Sequence, residues 1–67
     1  MKTNTISLNK NKIVLQMATN GYSMRTLCSK ANVHESTYRR MMQGQKVTTE
    51  TIGKIAHALN CKVEDLI

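Results

Sequence analysis

Arg39 and Arg40 stand side by side at the end of the segment Glu35-Ser36-Thr37-Tyr38-Arg39-Arg40, which gathers a carboxylate, two aliphatic hydroxyls and two guanidinium groups within six residues. A guanidinium is a planar fork that can donate to two acceptors at once, as on guanine O6 and N7, whereas a carboxylate can accept from cytosine N4. Four other side chains, Cys28, His34, His57 and Cys61, have the donor atoms of metal ligands. Their spacing, C-x5-H and then H-x3-C, lacks the close C-x2-4-C pair of a zinc module, so no metal is assigned. Cys28 and Cys61 fall where helical stripes want small apolar groups, and both are read as reduced thiols, because a small extracellular scaffold usually carries four or more cysteines. The acidic residues are Glu35, Glu50, Glu64 and Asp65. They form no carboxylate pair suited to acid-base work, and the chain has no Gly-rich phosphate loop, so neither an enzyme nor a cofactor is expected.

The length bounds what can position these groups. Sixty-seven residues make one small domain, and a chain of this size buries only about 60% of the surface its unfolded form exposes. Its net charge of +6 and pI near 9.8 favour a polyanionic partner first and an anionic membrane surface second. The charge is uneven: residues 1–47 hold eight basic side chains against Glu35, whereas residues 48–67 hold Lys54 and Lys62 against Glu50, Glu64 and Asp65. The basic residues are interleaved with apolar ones, as on one face of folded elements, and not run together as in a disordered tail. Two tyrosines with no Phe or Trp are too few for the stacking platforms of single-strand or RNA binders. No apolar run reaches the roughly 18 to 20 residues of a membrane span, and Met1-Lys2-Thr3-Asn4-Thr5 lacks the apolar core of a signal peptide. The expectation is a soluble cytoplasmic protein with no membrane partner.

Periodicity predicts short helices. Ile13, Val14, Met17 and Ala18 form the inward stripe of a first helix over about Asn9 to Thr19, capped by Ser7 or Asn9 and stopped at Asn20-Gly21. Ser23 caps a second helix that turns Leu27, Cys28 and Ala31 inward and leaves Arg25, Ser29 and Lys30 outside. Ala31-Asn32-Val33-His34 reads as a tight turn, with Asn32 in the left-handed region and Val33 tucked beneath. A third helix from Glu35 to about Gln43 buries Tyr38, Met41 and Met42 and ends at Gly44. Beyond a loop at Gln45-Lys46-Val47, Thr48 caps a fourth helix with the stripe Ile52, Ile55, Ala56 and Leu59. Asn60 ends it, and Val63, Leu66 and Ile67 mark a fifth, short helical turn. The reading is an all-α domain of five helices over residues 9–67, preceded by an arm over residues 1–8.

Two helices of about eight residues joined by so short a turn, the second one basic and rich in hydroxyls, meet the requirements of a helix-turn-helix. The residues Gly21-Tyr22-Ser23, Leu27 to Val33, His34 to Gly44, and Val47-Thr48-Thr49-Glu50 through Lys54 to Cys61 resemble the Cro/CI-like (XRE) helix-turn-helix regulators of phages, plasmids and bacterial chromosomes. The resemblance covers most of the chain. It implies a compact lambda-repressor-like bundle whose third helix lies in the DNA major groove. The family's base-reading positions then fall on Glu35, Ser36 and Arg40, and the phosphate-binding set on Ser23, Arg25, Lys30, His34, Thr37, Arg39 and Lys46. Four positions depart from the pattern: Cys28 stands for Ala, Asn32 for Gly, His34 for a Ser or Thr cap, and Met24 for a Gln that donates to phosphate. The function implied is a sequence-specific regulator of transcription, a repressor binding a palindromic operator as a homodimer, with no small-molecule effector. The alternative is an antitoxin or adaptor that offers the same face to an acidic protein.

Overall fold

The computed structural model describes residues 5–67. Met1 to Asn4, half of the expected arm, lie outside the described residues. The order of elements is β1 (Thr5–Ser7), α1 (Lys10–Asn20), α2 (Met24–Ala31), α3 (Glu35–Met42), β2 (Lys46–Thr48), α4 (Thr49–Ala58) and a single 3-10 turn (Val63–Asp65).

Side-chain caps start the four α-helices. Asn9, Ser23, His34 and Thr48 sit in extended backbone and accept from Lys12, Thr26, Ser36 and Thr51 N–H respectively. All four helices also end in one way. Gly21, Asn32, Gly44 and Asn60 have positive φ, and the residue after each donates its N–H to the carbonyl five positions back, as Val33 does to Cys28 at 3.0 Å. These are the four terminators expected from the sequence.

The all-α, five-helix expectation needs correction in two places. The last element is one 3-10 turn, and β1 pairs antiparallel with β2 in the register Thr5↔Thr48, Ile6↔Val47 and Ser7↔Lys46. Lys46 and Val47, read as loop, are therefore strand, and Thr5 to Ser7 of the expected arm pair with them. Leu8, also assigned to the arm, is only 5% exposed and belongs to the core. Three-residue strands are too short to show alternation, and this pair joins segments some forty residues apart, so neither carries a local signal.

The core is built from Ile13, Leu27, Met41, Ile52, Ile55, Leu59 and Leu66, each essentially inaccessible, with Tyr22, Val33, Tyr38, Met42 and Cys61 packed around it. Helix α1 buries a narrower face than expected. Ile13 and Met17 point inward, but Val14 and Ala18 lie outside, as does Leu15. The end of α1 is tied down by Asn20, whose Nδ2 donates to the Leu59 carbonyl at 3.0 Å. At the C-terminal end Leu66 closes the core, and its carbonyl accepts from Asn9 N–H at 2.7 Å. Val63 and Ile67, expected to join it, remain exposed.

Candidate nucleic-acid interface

Asn32, Val33 and His34 alone separate α2 from α3. Asn32 reverses the chain with φ 56° and ψ 46°, a conformation its short amide tolerates, while half-buried Val33 anchors the bend to the core. Met41 and Tyr38 then hold α3 from below; the Tyr38 hydroxyl reaches Met17 Sδ at 3.7 Å. This leaves Ser36, Arg39, Arg40 and Gln43 as one exposed stripe at three- and four-residue spacing, with Glu35 at its edge.

His34 opens this helix in an unusual way. Its Nδ1 accepts from Ser36 N–H at 3.2 Å and lies 2.9 Å from Ser36 Oγ. A backbone N–H can only donate, so in this cap Nδ1 is the acceptor and Nε2 points away from the helix start. The Ser36 hydroxyl packs beside the same ring nitrogen and keeps an acceptor lone pair toward solvent.

The two arginines are attached differently. Arg39 Nη2 donates to Glu35 Oε1 at 2.7 Å, an exposed i,i+4 pair of the kind worth about 0.3–0.5 kcal/mol. Arg40 Nε donates to Gln45 Oε1 at 3.3 Å, and Gln45 Nε2 to Gln43 Oε1 at 3.3 Å. Arg40 also walls a half-open depression of about 280 Å³, shared with Thr5, Thr37, Lys46, Val47, Thr48 and Thr51. Among the described residues, two cations and four hydroxyls line it, with no carboxylate.

Of the residues singled out from sequence, Thr37, Arg40 and Lys46 thus meet around one depression. Glu35, Ser36, His34 and Arg39 share the exposed side and start of α3. Arg25 and Lys30 belong to α2 and Ser23 caps it; none of the three lines the depression. Ser23 Oγ accepts from Thr26 N–H at 3.3 Å in its capping role, and Lys30 Nζ stands 5.5 Å over the Tyr22 ring, within cation–π range. The sequence did not mark Gln43 and Gln45 beside Arg40, nor Thr5, Thr48 and Thr51 of the depression, as site residues. Gln43 could have been found, since it continues the stripe at i+4 from Arg39. Thr5 could not, because only strand pairing brings it there.

The inner side of the unit is apolar enough to disfavour ionisation. Burial pushes the Cys28 thiol up, with the Glu35 charge adding to it, and burial does the same to Tyr38, with Cys28 contributing. Cys61 is raised by burial and then by Asp65. Both cysteines are free thiols, and among the described residues no three His, Cys, Asp or Glu side chains cluster as metal ligands would.

Two short helices across a three-residue turn, the second held outward and basic, define a helix-turn-helix domain. The family model of the Cro/C1-type HTH DNA-binding domain matches residues 12–67, and the chain belongs to that family. DNA is the partner of such a domain. Among curated proteins none matches the chain. Solved structures share the fold. The restriction-modification controller protein C.AhdI from Aeromonas hydrophila has a TM-score of 0.76 at 24% identity, over 87% of this chain and 89% of that one. The clp gene regulator ClgR from C. glutamicum has a TM-score of 0.70 at 23% identity, over 84% and 74%. PhpD, solved with cadmium atoms, has a TM-score of 0.78 at 16% identity; 92% of this chain is covered, which spans only 13% of PhpD. At these identities the likeness is one of fold. No described helix is long and apolar enough to cross a membrane.

Proposed function

We propose that this chain is a sequence-specific regulator of transcription, a repressor that binds double-stranded DNA as a homodimer on a palindromic operator. The observation that carries this reading is the outward stripe of α3, which offers Ser36, Arg39, Arg40 and Gln43 to a groove about 12 Å wide that accepts one helix. Arg40 reads guanine O6 and N7. Ser36 meets a neighbouring base edge through its hydroxyl, and Glu35 accepts from cytosine N4.

The phosphates on either side of the groove fall to the other donors. His34 offers Nε2, and Thr37 and Lys46 serve the strand that passes the depression. Arg39 exchanges its weak pair with Glu35 for a phosphate. Ser23, Arg25 and Lys30 serve the opposite strand from α2, where Tyr22 steadies the Lys30 ammonium. One domain reads too few bases for an operator, so two copies place their α3 helices about 34–36 Å apart. Exposed Val63 and Ile67 at the C-terminal end supply apolar surface for that contact. The protein acts in the cytoplasm, on the DNA of a bacterium or phage.

Selection of binding sequences from a random duplex pool, followed by titration of the winner, tests the reading. A palindromic site bound at least about a thousandfold more tightly than random duplex supports it. Equal, weak affinity for every duplex overturns it in favour of a protein partner for the same face.

A further inference from the structure

We infer that Gln45, which lies outside α3, positions the reading side chain: it holds the Arg40 guanidinium so that its terminal Nη pair, and not its Nε edge, faces the groove. The inference rests on the base-reading role proposed for Arg40. Gln45 grips Arg40 twice. Its backbone N–H donates to the Arg40 carbonyl at 3.1 Å, closing the end of the helix, while its side-chain Oε1 accepts from Arg40 Nε–H at 3.3 Å.

The hold depends on Gly44. Its φ of +80° turns the chain back over the last turn of α3, and a side chain there would be strained whatever the open space around it. The far end of Gln45 is held as well, because Nε2 donates to Gln43 Oε1, which orients the amide with its oxygen toward Arg40.

The consequence lies in the geometry of arginine. A guanidinium can offer two acceptors either its Nε–Nη side or its Nη–Nη end. With Nε–H engaged by Gln45, the free pair is the end, which reaches farthest from the helix. A long, exposed arginine otherwise samples both presentations and neighbouring phosphates, so its preference for one base weakens. Gln45 therefore governs selectivity at the base pair that Arg40 reads, without itself touching a base.

The test compares Gln45→Ala, Gln45→Glu and Arg40→Ala, singly and combined, on duplexes varied at that base pair. Gln45→Ala should lower the preference for the best base by about tenfold, a typical share of one bidentate contact. Gln45→Glu, which keeps an acceptor for Nε, should retain the preference while lowering affinity for all duplexes alike. In the Arg40→Ala background Gln45→Ala should change nothing further. Unchanged preference in Gln45→Ala, or an equal loss with and without Arg40, overturns the inference.

A measurement on the free protein separates this failure from failure of the DNA-reading role. The Arg40 Nε–H should exchange with solvent several-fold more slowly than that of Arg25, and Gln45→Ala should abolish the difference. Equal exchange in the unaltered protein overturns the positioning whatever the DNA assay gives. Slow exchange together with no preference for any duplex sinks the reading role alone.

Discussion

Arg39 and Arg40 adjoin in sequence, yet their surroundings differ, and so do the roles proposed for them. Arg39 faces a carboxylate on its own helix, an arrangement that a phosphate can replace at little cost, whereas Arg40 is held from beyond the helix end. Arg40→Ala should therefore relax base preference at one position and cost about 1–3 kcal/mol of specific binding. Arg39→Ala and Lys30→Ala should weaken binding to all sequences and each reduce the slope of log K against log salt by about 1. Titrations at several salt concentrations separate the two outcomes, and a sequence-dependent loss in Arg39→Ala would reverse the assignment. The thiols supply a pH test. Burial raises the folded pKa of Cys28 and Cys61, so their contribution to stability is full below the ordinary thiol pKa of about 8.5 and is lost as pH rises through the folded value. Thermal melting should fall between neutral and strongly alkaline pH, and by less in a Cys28→Ala, Cys61→Ala double variant; equal falls would remove the thiols as the cause.

At the scale of elements, the turn between α2 and α3 decides how α3 is presented outside the core. Asn32 holds φ 56°, where a β-branched residue would pay about 1–2 kcal/mol in strain. Asn32→Val should lower stability by roughly that amount, while Asn32→Gly should leave it equal or higher, as urea unfolding can measure. At the other side of the turn His34 accepts from Ser36 N–H, so His34→Ala should cost about 1 kcal/mol, and His34→Asn should recover most of it. If both variants melt with the unaltered protein, the imidazole is not the cap. The short ladder between β1 and β2 has a structural purpose of another kind: it carries Lys46 and Thr48 to the depression beside α3.

For the molecule as a whole, a single small core keeps α3 outside. A domain of this size has only a few kcal/mol of net stability. Leu27→Ala or Ile55→Ala, each emptying a fully buried site, should cost about 2–5 kcal/mol and leave the chain largely unfolded by circular dichroism. Leu15, 65% exposed on the outer face of α1, should tolerate Gln within about 0.5 kcal/mol. A large loss there would mean that a partner covers α1.

The amino-acid sequence by itself determined the local features. Cap residues, the terminators Gly21, Asn32, Gly44 and Asn60, and the stripes of α2, α3 and α4 are written within a few neighbouring residues, because helix hydrogen bonds and helix faces close over three or four positions. From these the turn at Asn32-Val33 and the outward arginines follow. Tertiary structure alone decided what depends on distant partners. The pairing of Thr5 with Thr48, the narrow docking of α1 that leaves Val14 and Ala18 outside, the burial of Leu8, and the threonines gathered around Arg40 and Lys46 have no local signature. Each is set by which surfaces meet once the chain has closed on itself, and a three-residue strand or a half-used helix face carries too few residues for a period to announce it.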